Sequence, residues 1–181
     1  FVHSQGVAAV ASKLAEEISW SERRIKKIKI AGYLHDLGKL TVPKEILDKS
    51  GKLTDKEYQI IKSHTFHTYH SLDMLGLTEI KNWAAFHHER LDGTGYPFKV
   101  SNLSTGSKIM AVADVFTAIT EDRPYRSGMK EKKAISVLKS MAEEGKLDGD
   151  LVEIVINNYQ EFNHLRDHIQ IKHSTADKFI I

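Results

Sequence analysis

The stretch SERRIKKIKIAGYLHDLGK, residues 21–39, contains both a helical pattern and a pair of metal-binding side chains. Apolar residues recur in it at three-residue steps, at Ile25, Ile28, Ala31 and Leu34. This spacing places them on one face of a helix. Ser21 is a suitable N-cap, and Gly38 tolerates the left-handed conformation that often ends a helix. The stretch therefore predicts an amphipathic helix that presents His35-Asp36 at its carboxyl end.

Helical periodicity continues over most of the chain, and no alternation of strands and helices interrupts it. Further helices are predicted over residues 7–18, 54–72, 80–88, 107–120, 130–144 and 150–162. Thr54 and Glu57 form a capping box at the start of the second of these. Residues 92–102 contain three turn formers and Pro97, which predicts an ordered loop. The pattern favours an all-α, single-domain helical bundle with a metal site in its core, comprising residues 1–165. The tail, residues 166–181, is of uncertain structure, since Ile169-Gln170-Ile171 alternates like a strand but is short.

Composition sets broad limits on what the protein does. The chain has 181 residues, 41% of them hydrophobic, which suits one domain with a real core. It contains no cysteine, so any metal must be held by His, Asp and Glu. A net charge of +2 gives no broad footprint for DNA. The segment has no apolar run of about 20 residues and no signal peptide, so no membrane span and a cytoplasmic location are expected. Because the chain opens at Phe1 rather than Met, it is expected to be part of a longer protein.

Six residues that bind divalent metals recur across roughly 80 residues of this helical sequence: His35, Asp36, His64, His87, His88 and Asp114. Helical bundles build metal sites from side chains that project inward from facing helices. Asp114 lies in the apolar stretch AVADVF, where an unpaired carboxylate is costly. His3 offers a further nitrogen. Imidazole and carboxylate together suit iron, manganese, zinc or nickel, and the two oxygens of Asp36 can bridge two ions.

Each residue also has a plainer interpretation. A single histidine is more often a surface or hydrogen-bonded core residue than a ligand. That interpretation is kept for His67, His70, His164, His168 and His173. Asp114 alone would more often pair with an arginine, and Lys39 would be a cation favoured at a helix carboxyl end. The combined pattern nevertheless favours a phosphodiesterase site with two or three metal ions.

The strings HDLGK (35–39) and HHERLDGTGYP (87–97), followed by Ala113-Asp114 and DRPYR (122–126), resemble the HD-GYP domain. That domain is a subgroup of the HD phosphohydrolase superfamily, and the match extends from His3 to about residue 160. The resemblance implies a metal-dependent phosphodiesterase that hydrolyses cyclic di-GMP to pGpG and/or GMP through a hydroxide shared by two metals. It also implies an N-terminal regulatory domain in the parent chain.

The resemblance further implies roles for individual residues. His3, His35, Asp36 and Asp114 would hold one metal. Asp36 would bridge to a second metal, held by His64, His87 and His88. Iron or manganese is expected, with zinc, nickel or magnesium as alternatives. A third metal would use a glutamate four residues before His3, a position that precedes Phe1, so its presence stays open. Asp36 and Lys39 would be catalytic, with Lys39 near the reacting phosphate. Tyr96, Arg123 and Arg126 would contact the substrate.

Four positions depart from the family pattern. Thr65 and Thr68 stand where proline and glycine are common, and Thr117 and Glu121 where aspartate and serine are common. None of these changes replaces an expected ligand. Two other functions stay open. The chain can be an HD hydrolase of a different nucleotide, such as another cyclic dinucleotide. It can also be a weakly active cyclic di-GMP sensor that pairs with diguanylate-cyclase domains through the Gly95-Tyr96-Pro97 loop.

Overall fold

The computed structural model describes the backbone of residues 2–122 and 127–176, and side chains in these ranges up to residue 169. Over the described residues the chain forms ten α-helices and one short 3-10 helix, and no strand. The α-helices are α1 Val2–Glu17, α2 Glu22–Leu34, α3 Lys44–Leu47, α4 Asp55–Lys62, α5 His64–Asp73, α6 Thr78–Ala85, α7 Thr105–Thr120, α8 Glu131–Glu143, α9 Gly149–Asn157 and α10 Tyr159–Ala176. The 3-10 helix is Leu37–Thr41. The prediction of an all-α bundle is confirmed.

Helices α1 and α7 form the centre of the bundle. Helix α1 packs against α2, α7 and α10, and α7 in turn packs against α6 and α8. Most of α7 is buried, including Met110, Val112 and Phe116, each fully inaccessible to solvent. Helix α7 is therefore enclosed over most of its length, and this explains why its sequence is largely apolar. Asp114 is the one carboxylate of α7, and the packing of the helix places it in the interior.

Small residues let α1 and α2 approach closely. A Cβ atom added to Gly32 would lie 2.4 Å from the Cα atom of Ala8. Any larger side chain at position 32 would push the two helices apart. Since α2 carries His35 at its end and α1 carries His3, this close crossing sets the distance between the two histidines.

Several predicted element boundaries shift. The helix predicted over residues 54–72 is two helices, α4 and α5, separated at Ser63. The Ser63 N–H donates to the carbonyls of Gln59 and Ile60, which tightens the last turn of α4. The capping box of Thr54 and Glu57 is confirmed. The helix predicted over residues 150–162 is likewise divided at Asn158.

The structure near the carboxyl end differs from the strand that the apolar–polar alternation of residues 169–171 suggested. Residues 169–171, which alternate like a strand, belong to α10. The expected boundary between residues 165 and 166 falls inside this helix, and the division into domain and tail stays a prediction. None of the described helices has the length and apolar character that crossing a bilayer requires.

The predicted role of Gly38 is wrong. Helix α2 ends at Leu34, and Gly38 lies inside the 3-10 helix without a positive φ. Gly38 is needed instead for close packing, because a Cβ atom there would lie 1.9 Å from the carbonyl oxygen of His64. Thr68 on α5 completes this contact. Its Oγ1 accepts a hydrogen bond from the Gly38 N–H (2.9 Å) and donates one to the His35 carbonyl (3.1 Å).

Candidate metal centre

Three buried histidines share one local geometry, each at a point where a helix ends or the next begins. In each, ring atom Nδ1 lies close to the main-chain carbonyl three residues earlier. The three contacts join His35 to Gly32 (2.8 Å), His64 to Ile61 (2.6 Å) and His87 to Ala84 (2.6 Å). A carbonyl only accepts hydrogen bonds, so Nδ1 carries the proton in all three rings. Each ring therefore turns its other nitrogen, Nε2, toward the interior, and in a neutral ring this nitrogen can bind a metal.

These Nε2 atoms meet each other and Asp36. The Nε2 atoms of His64 and His87 lie 3.4 Å apart. Asp36 places Oδ2 3.4 Å from the Nε2 of His35, and Oδ1 3.4 Å from the Nε2 of His64. In neutral rings each of these Nε2 atoms carries a lone pair that faces Asp36, and a cation between them would bind both the nitrogens and the carboxylate. Asp36 thus has one oxygen toward each of two histidines, the arrangement that a bridging carboxylate requires.

His3 is held differently, by carboxylates. Its Nε2 lies 3.1 Å from Oδ1 of Asp114, and its Nδ1 lies 3.0 Å from Oε2 of Glu121. Burial by itself lowers the pKa of His3. The hydrogen bonds to Asp114 and Glu121 outweigh that effect and raise the pKa to about 9. Asp114 also faces two further rings, with the Nε2 of His35 and the Nδ1 of His88 each 3.8 Å from one of its oxygens.

Protonation states in the cluster suit metal binding, which needs neutral imidazoles and ionised carboxylates. Burial lowers the pKa of His64, lowers that of His87 well below its usual range, and lowers that of His88 to about 4. Burial alone would raise the pKa of Asp36. Nearby positive charge, including the Lys39 ammonium 2.7 Å away, outweighs this, so the pKa falls far below the usual range. Asp114 keeps a pKa well below its ordinary value because hydrogen bonding to His3 outweighs its burial.

Two buried atoms in the cluster have no hydrogen-bond partner: Nε2 of His35 and Oδ1 of Asp36. An unsatisfied buried polar atom costs free energy, and a bound cation would satisfy both. Three groups of side chains bring their ligand atoms within 4.8 Å of one another: His64, His87 and His88; His3, His35 and Asp114; His35, Asp36 and His87. The donor set of imidazole and carboxylate therefore fits borderline divalent metals.

Lys39 and Tyr96 lie at the edge of this cluster. The Nζ of Lys39 lies 2.7 Å from Oδ2 of Asp36, and its side chain is 40% exposed. The ring of Tyr96 packs 4.8 Å from the ring of His88, between centroids. The Tyr96 N–H also donates to the His88 carbonyl at 3.2 Å. Both side chains can therefore reach a molecule that approaches the metal ligands from solvent.

The loop of residues 92–102 owes its shape to two glycines and one buried carboxylate. Gly93 has a φ of +77°, which other residues rarely adopt. Gly95 has no positive φ, but an added Cβ atom would lie 2.4 Å from the Cα of Glu89. Glu89, which is fully buried, accepts hydrogen bonds from the N–H groups of Phe98 (2.7 Å) and Val100 (3.0 Å).

All seven expected metal ligands are brought together: His3, His35, Asp36, His64, His87, His88 and Asp114. The alternative partner for Asp114 is not found, because among the described residues its close contacts are histidines rather than an arginine. Of the histidines set aside, His67, His70, His164 and His168 belong to none of these groups, and the side chain of His173 lies outside the described part. The expected substrate contacts Arg123 and Arg126 also lie outside the described residues.

Three residues with clear structural roles at the site escaped the sequence reasoning. Glu121 orients His3, Glu89 anchors the loop, and Thr68 ties the His35–Gly38 turn to α5. Glu121 and Thr68 had one signal, because both depart from the family pattern. Glu89 had a weaker one, its place in the string after His87-His88.

Comparison with known proteins places this geometry in a family. The family model described as "HD domain" matches residues 2–151. A 3'3'-cGAMP-specific phosphodiesterase of Vibrio cholerae is 38% identical over 168 residues, covering 91% of this chain and 39% of that protein. A cyclic di-GMP phosphodiesterase of Pseudomonas aeruginosa is 38% identical over 139 residues, covering 75% of this chain and 34% of that protein. The chain thus spans about a third to two-fifths of the length of these curated relatives.

A solved structure supports the fold. The HD domain of the phosphodiesterase PgpH from L. monocytogenes aligns with a TM-score of 0.63, covering 96% of this chain and 91% of that one. Its sequence identity is 16%, so it bears on the fold alone. With the family match, the named relatives and the clustered His and Asp residues, the chain belongs to the HD domain family, and its motifs are consistent with the HD-GYP branch.

Proposed function

We propose that this chain is a metal-dependent phosphodiesterase that hydrolyses cyclic di-GMP to pGpG and/or GMP. The observation that carries the proposal is the position of Asp36, with one oxygen toward His35 and the other toward His64. This arrangement suits a pair of neighbouring cations, which is a common device for cleaving phosphodiesters. The similarity to relatives named as cyclic dinucleotide phosphodiesterases supports the choice of substrate class.

In this proposal the ligands divide into two sets that share Asp36. His3, His35 and Asp114 complete one set, and His64, His87 and His88 complete the other. Iron or manganese suits these donors best, with zinc, nickel or magnesium as alternatives. A third ion stays open. When bound, a pair of cations lowers the pKa of water to near neutrality and offsets negative charge on the phosphate.

The chain's own side chains would bind and orient the substrate. Lys39, half exposed beside Asp36, would neutralise charge on the nonbridging oxygens of the phosphate. Tyr96, packed on His88, would offer its face to a guanine. Arg123 and Arg126 are proposed as phosphate contacts because guanidinium groups donate two parallel hydrogen bonds to such oxygens. Thr68 and Glu89 hold the turn and the loop that carry Lys39 and Tyr96.

A second substrate is favoured by a specific observation. Of the relatives that match, some are named for 3'3'-cGAMP and others for cyclic di-GMP, at similar identity. No metal ligand distinguishes a guanine from an adenine. A cyclic dinucleotide other than cyclic di-GMP is therefore the second candidate. A weakly active sensor of cyclic di-GMP is the third, and the complete set of metal donors weighs against it.

A turnover assay tests the proposal. Protein loaded with Mn²⁺ or Fe²⁺ is incubated with cyclic di-GMP, 3'3'-cGAMP and cyclic di-AMP, and products are separated by chromatography. We expect metal-dependent release of linear dinucleotide or mononucleotide, fastest with cyclic di-GMP. Faster hydrolysis of 3'3'-cGAMP would favour the second candidate. Tight binding of cyclic di-GMP with no turnover under any metal would contradict the proposed hydrolysis and favour the sensor.

Some expectations remain predictions about the parent protein. They include an N-terminal regulatory domain, a cytoplasmic location and pairing with diguanylate-cyclase domains through the Gly95-Tyr96-Pro97 loop. In the structure, this loop packs against His88 through Tyr96. A partner that contacts the loop would therefore act next to the proposed metal ligands, which offers a direct route for such a partner to change activity.

A further inference from the structure

A cleft of about 630 Å³ opens beside the metal ligands, between α4 and the loop of residues 92–102. Its lining includes Lys62, Ser63, Phe66, Tyr96 and Lys99. Ser63 directly precedes His64, and the ring of Tyr96 also packs on His88. The cleft thus shares a wall with the proposed metal centre. Its volume is of the size that accommodates a small-molecule ligand.

Two cations enter this cleft without a carboxylate partner. Among the described residues, no Asp or Glu oxygen lies within ion-pairing distance of the Nζ of Lys62 or Lys99. Many other lysines of the chain are paired, such as Lys39 with Asp36 and Lys81 with Asp73. Two unpaired ammonium groups in one concave site favour an anionic ligand.

Lys62 is held in place by aromatic rings. Its Nζ lies 4.8 Å from the ring centroid of Tyr58 and 5.0 Å from that of Tyr96. Cation–π contacts of this kind orient an ammonium group. A lysine in the last turn of a helix is also favoured by the helix dipole, but the dipole does not account for its position between two tyrosines. Phe66, 43% exposed in the same cleft, adds an apolar face to it.

The backbone of Lys99 has a strained conformation that the neighbouring hydrogen bonds of the loop keep in place. Its φ is +56°, a left-handed conformation that is uncommon for residues other than glycine. The carboxylate of Glu89 accepts hydrogen bonds from the N–H groups on both sides of it, at Phe98 and Val100. Strained backbone that the surrounding structure enforces is often found at ligand sites.

We infer that this cleft binds the second half of a cyclic dinucleotide, the phosphate and base that are not being cleaved, and that Lys62 and Lys99 contact its phosphate. The inference rests on the proposed function. The two phosphodiesters of such a ring lie on opposite sides of it, so holding one at the metals directs the other away from them. The cleft supplies what that half needs: cations for the phosphate, and the exposed face of Phe66 for the base.

The test compares substrates of different size on the Mn²⁺-loaded protein. KM and kcat for cyclic di-GMP and 3'3'-cGAMP are measured for Lys62→Ala, Lys99→Ala and the double variant, and metal content is measured in each. The matched control is Lys139→Ala, an exposed lysine on α8. We expect each cleft variant to raise KM about tenfold, equivalent to about 1.4 kcal/mol, with a much smaller change in kcat. Lys62→Arg and Lys99→Arg should restore most of the affinity, and the Kd for GMP should change less than twofold.

The outcomes separate this inference from the proposed function. If the double variant hydrolyses cyclic dinucleotides with the KM of the wild type, the cleft is not part of the substrate site, while the proposed function stands. If the cleft variants lose metal, or weaken GMP and cyclic di-GMP equally, the lysines have a structural or general electrostatic role, and the inference fails. If the wild-type protein neither binds nor hydrolyses any cyclic dinucleotide, the proposed function fails, and the inference fails with it.

Discussion

Two parts of the proposed metal centre hold their histidines by different means. The first part consists of His35, His64 and His87, whose Nδ1 atoms contact the main-chain carbonyls three residues earlier. These carbonyls are neutral, and they cannot move without unwinding a helix. The second part is His3, whose ring contacts two side-chain carboxylates. One belongs to Asp114 on α7, and the other to Glu121, the residue that follows α7. The first arrangement buries its rings, and burial lowers the pKa of His64 and of His87. The second raises the pKa of its ring, so that in the absence of metal it holds a proton. We therefore call His35, His64 and His87 the rigid part, because main-chain contacts hold them. We call His3 with Asp114 and Glu121 the electrostatic part, because charged side chains hold the ring of His3.

The largest effect is expected from removing Asp36, whose two oxygens face His35 and His64 in the first part. Asp36→Ala should lower kcat/KM by at least about 100-fold and remove most of the bound metal, because metal centres lose roughly 10–100-fold even when only an outer partner is lost. Metal analysis and turnover assays measure this. Asp150→Ala, an exposed position on α9, is the control. Full metal occupancy in Asp36→Ala would contradict the bridging assignment.

The rigid part can be broken on its own at Gly38. A Cβ atom at this position would meet the His64 carbonyl at 1.9 Å, so Gly38→Ala must displace backbone between His35 and His64. Overpacking of this kind costs about 1–3 kcal/mol or more. We expect a clearly lower Tm in thermal denaturation and weaker metal binding. Gly51→Ala is the matched control, since nothing lies within 4 Å of its added Cβ. Equal Tm values for the two variants would show that the turn has room to shift.

The electrostatic part can be broken at Glu121. Glu121→Ala removes the acceptor of the His3 Nδ1–H and should weaken metal binding about 10–100-fold, as measured by competition with a chelator. Glu121→Gln keeps an oxygen acceptor and should have a milder effect. The control is Glu143→Gln on the exposed face of α8. If Glu121→Ala and Glu143→Gln bind metal equally well, Glu121 does not position His3.

The smallest effect is one of pH on metal-free protein, and it has opposite signs in the two parts. The raised pKa of His3 stabilises the fold fully below about 6.5, and this contribution is lost as pH rises through about 9. The lowered pKa values of His64, His87 and His88 act the other way. Their contribution is present above about 6.5 and is lost as pH falls toward the folded pKa, about 4 for His88.

Thermal denaturation of chelator-treated protein measures both signs. The Tm should fall between pH 7 and 9 and should also fall between pH 6.5 and 4. Each kcal/mol corresponds to roughly 2–4 °C in a domain of this size. In His3→Gln the decline on the alkaline side should largely disappear while the acid side persists. An unchanged alkaline decline in that variant would assign it to another group.

Much of the fold followed from local patterns. Apolar spacing along α1, α2 and α7 and the capping box at Thr54 depend only on neighbours within a turn or two of helix, so they can be read directly. The helix breaks at Ser63 and Asn158 could not, because periodicity continues across them. The role of Gly38 was misjudged for a similar reason. A glycine near a helix end suggests a left-handed turn, whereas its actual constraint is a carbonyl on a different helix.

By itself the sequence determined the all-α class and the identity of the seven side chains that meet, since these residue types and their spacing are local features. The tertiary structure alone decided how they meet. It set the protonated nitrogen of each ring and the pairing of His3 with Glu121, 118 residues away. It also formed the cleft between Lys62 and Lys99. These features depend on distances between helices, which arise from side-chain packing across the whole bundle and have no counterpart in any short stretch of sequence.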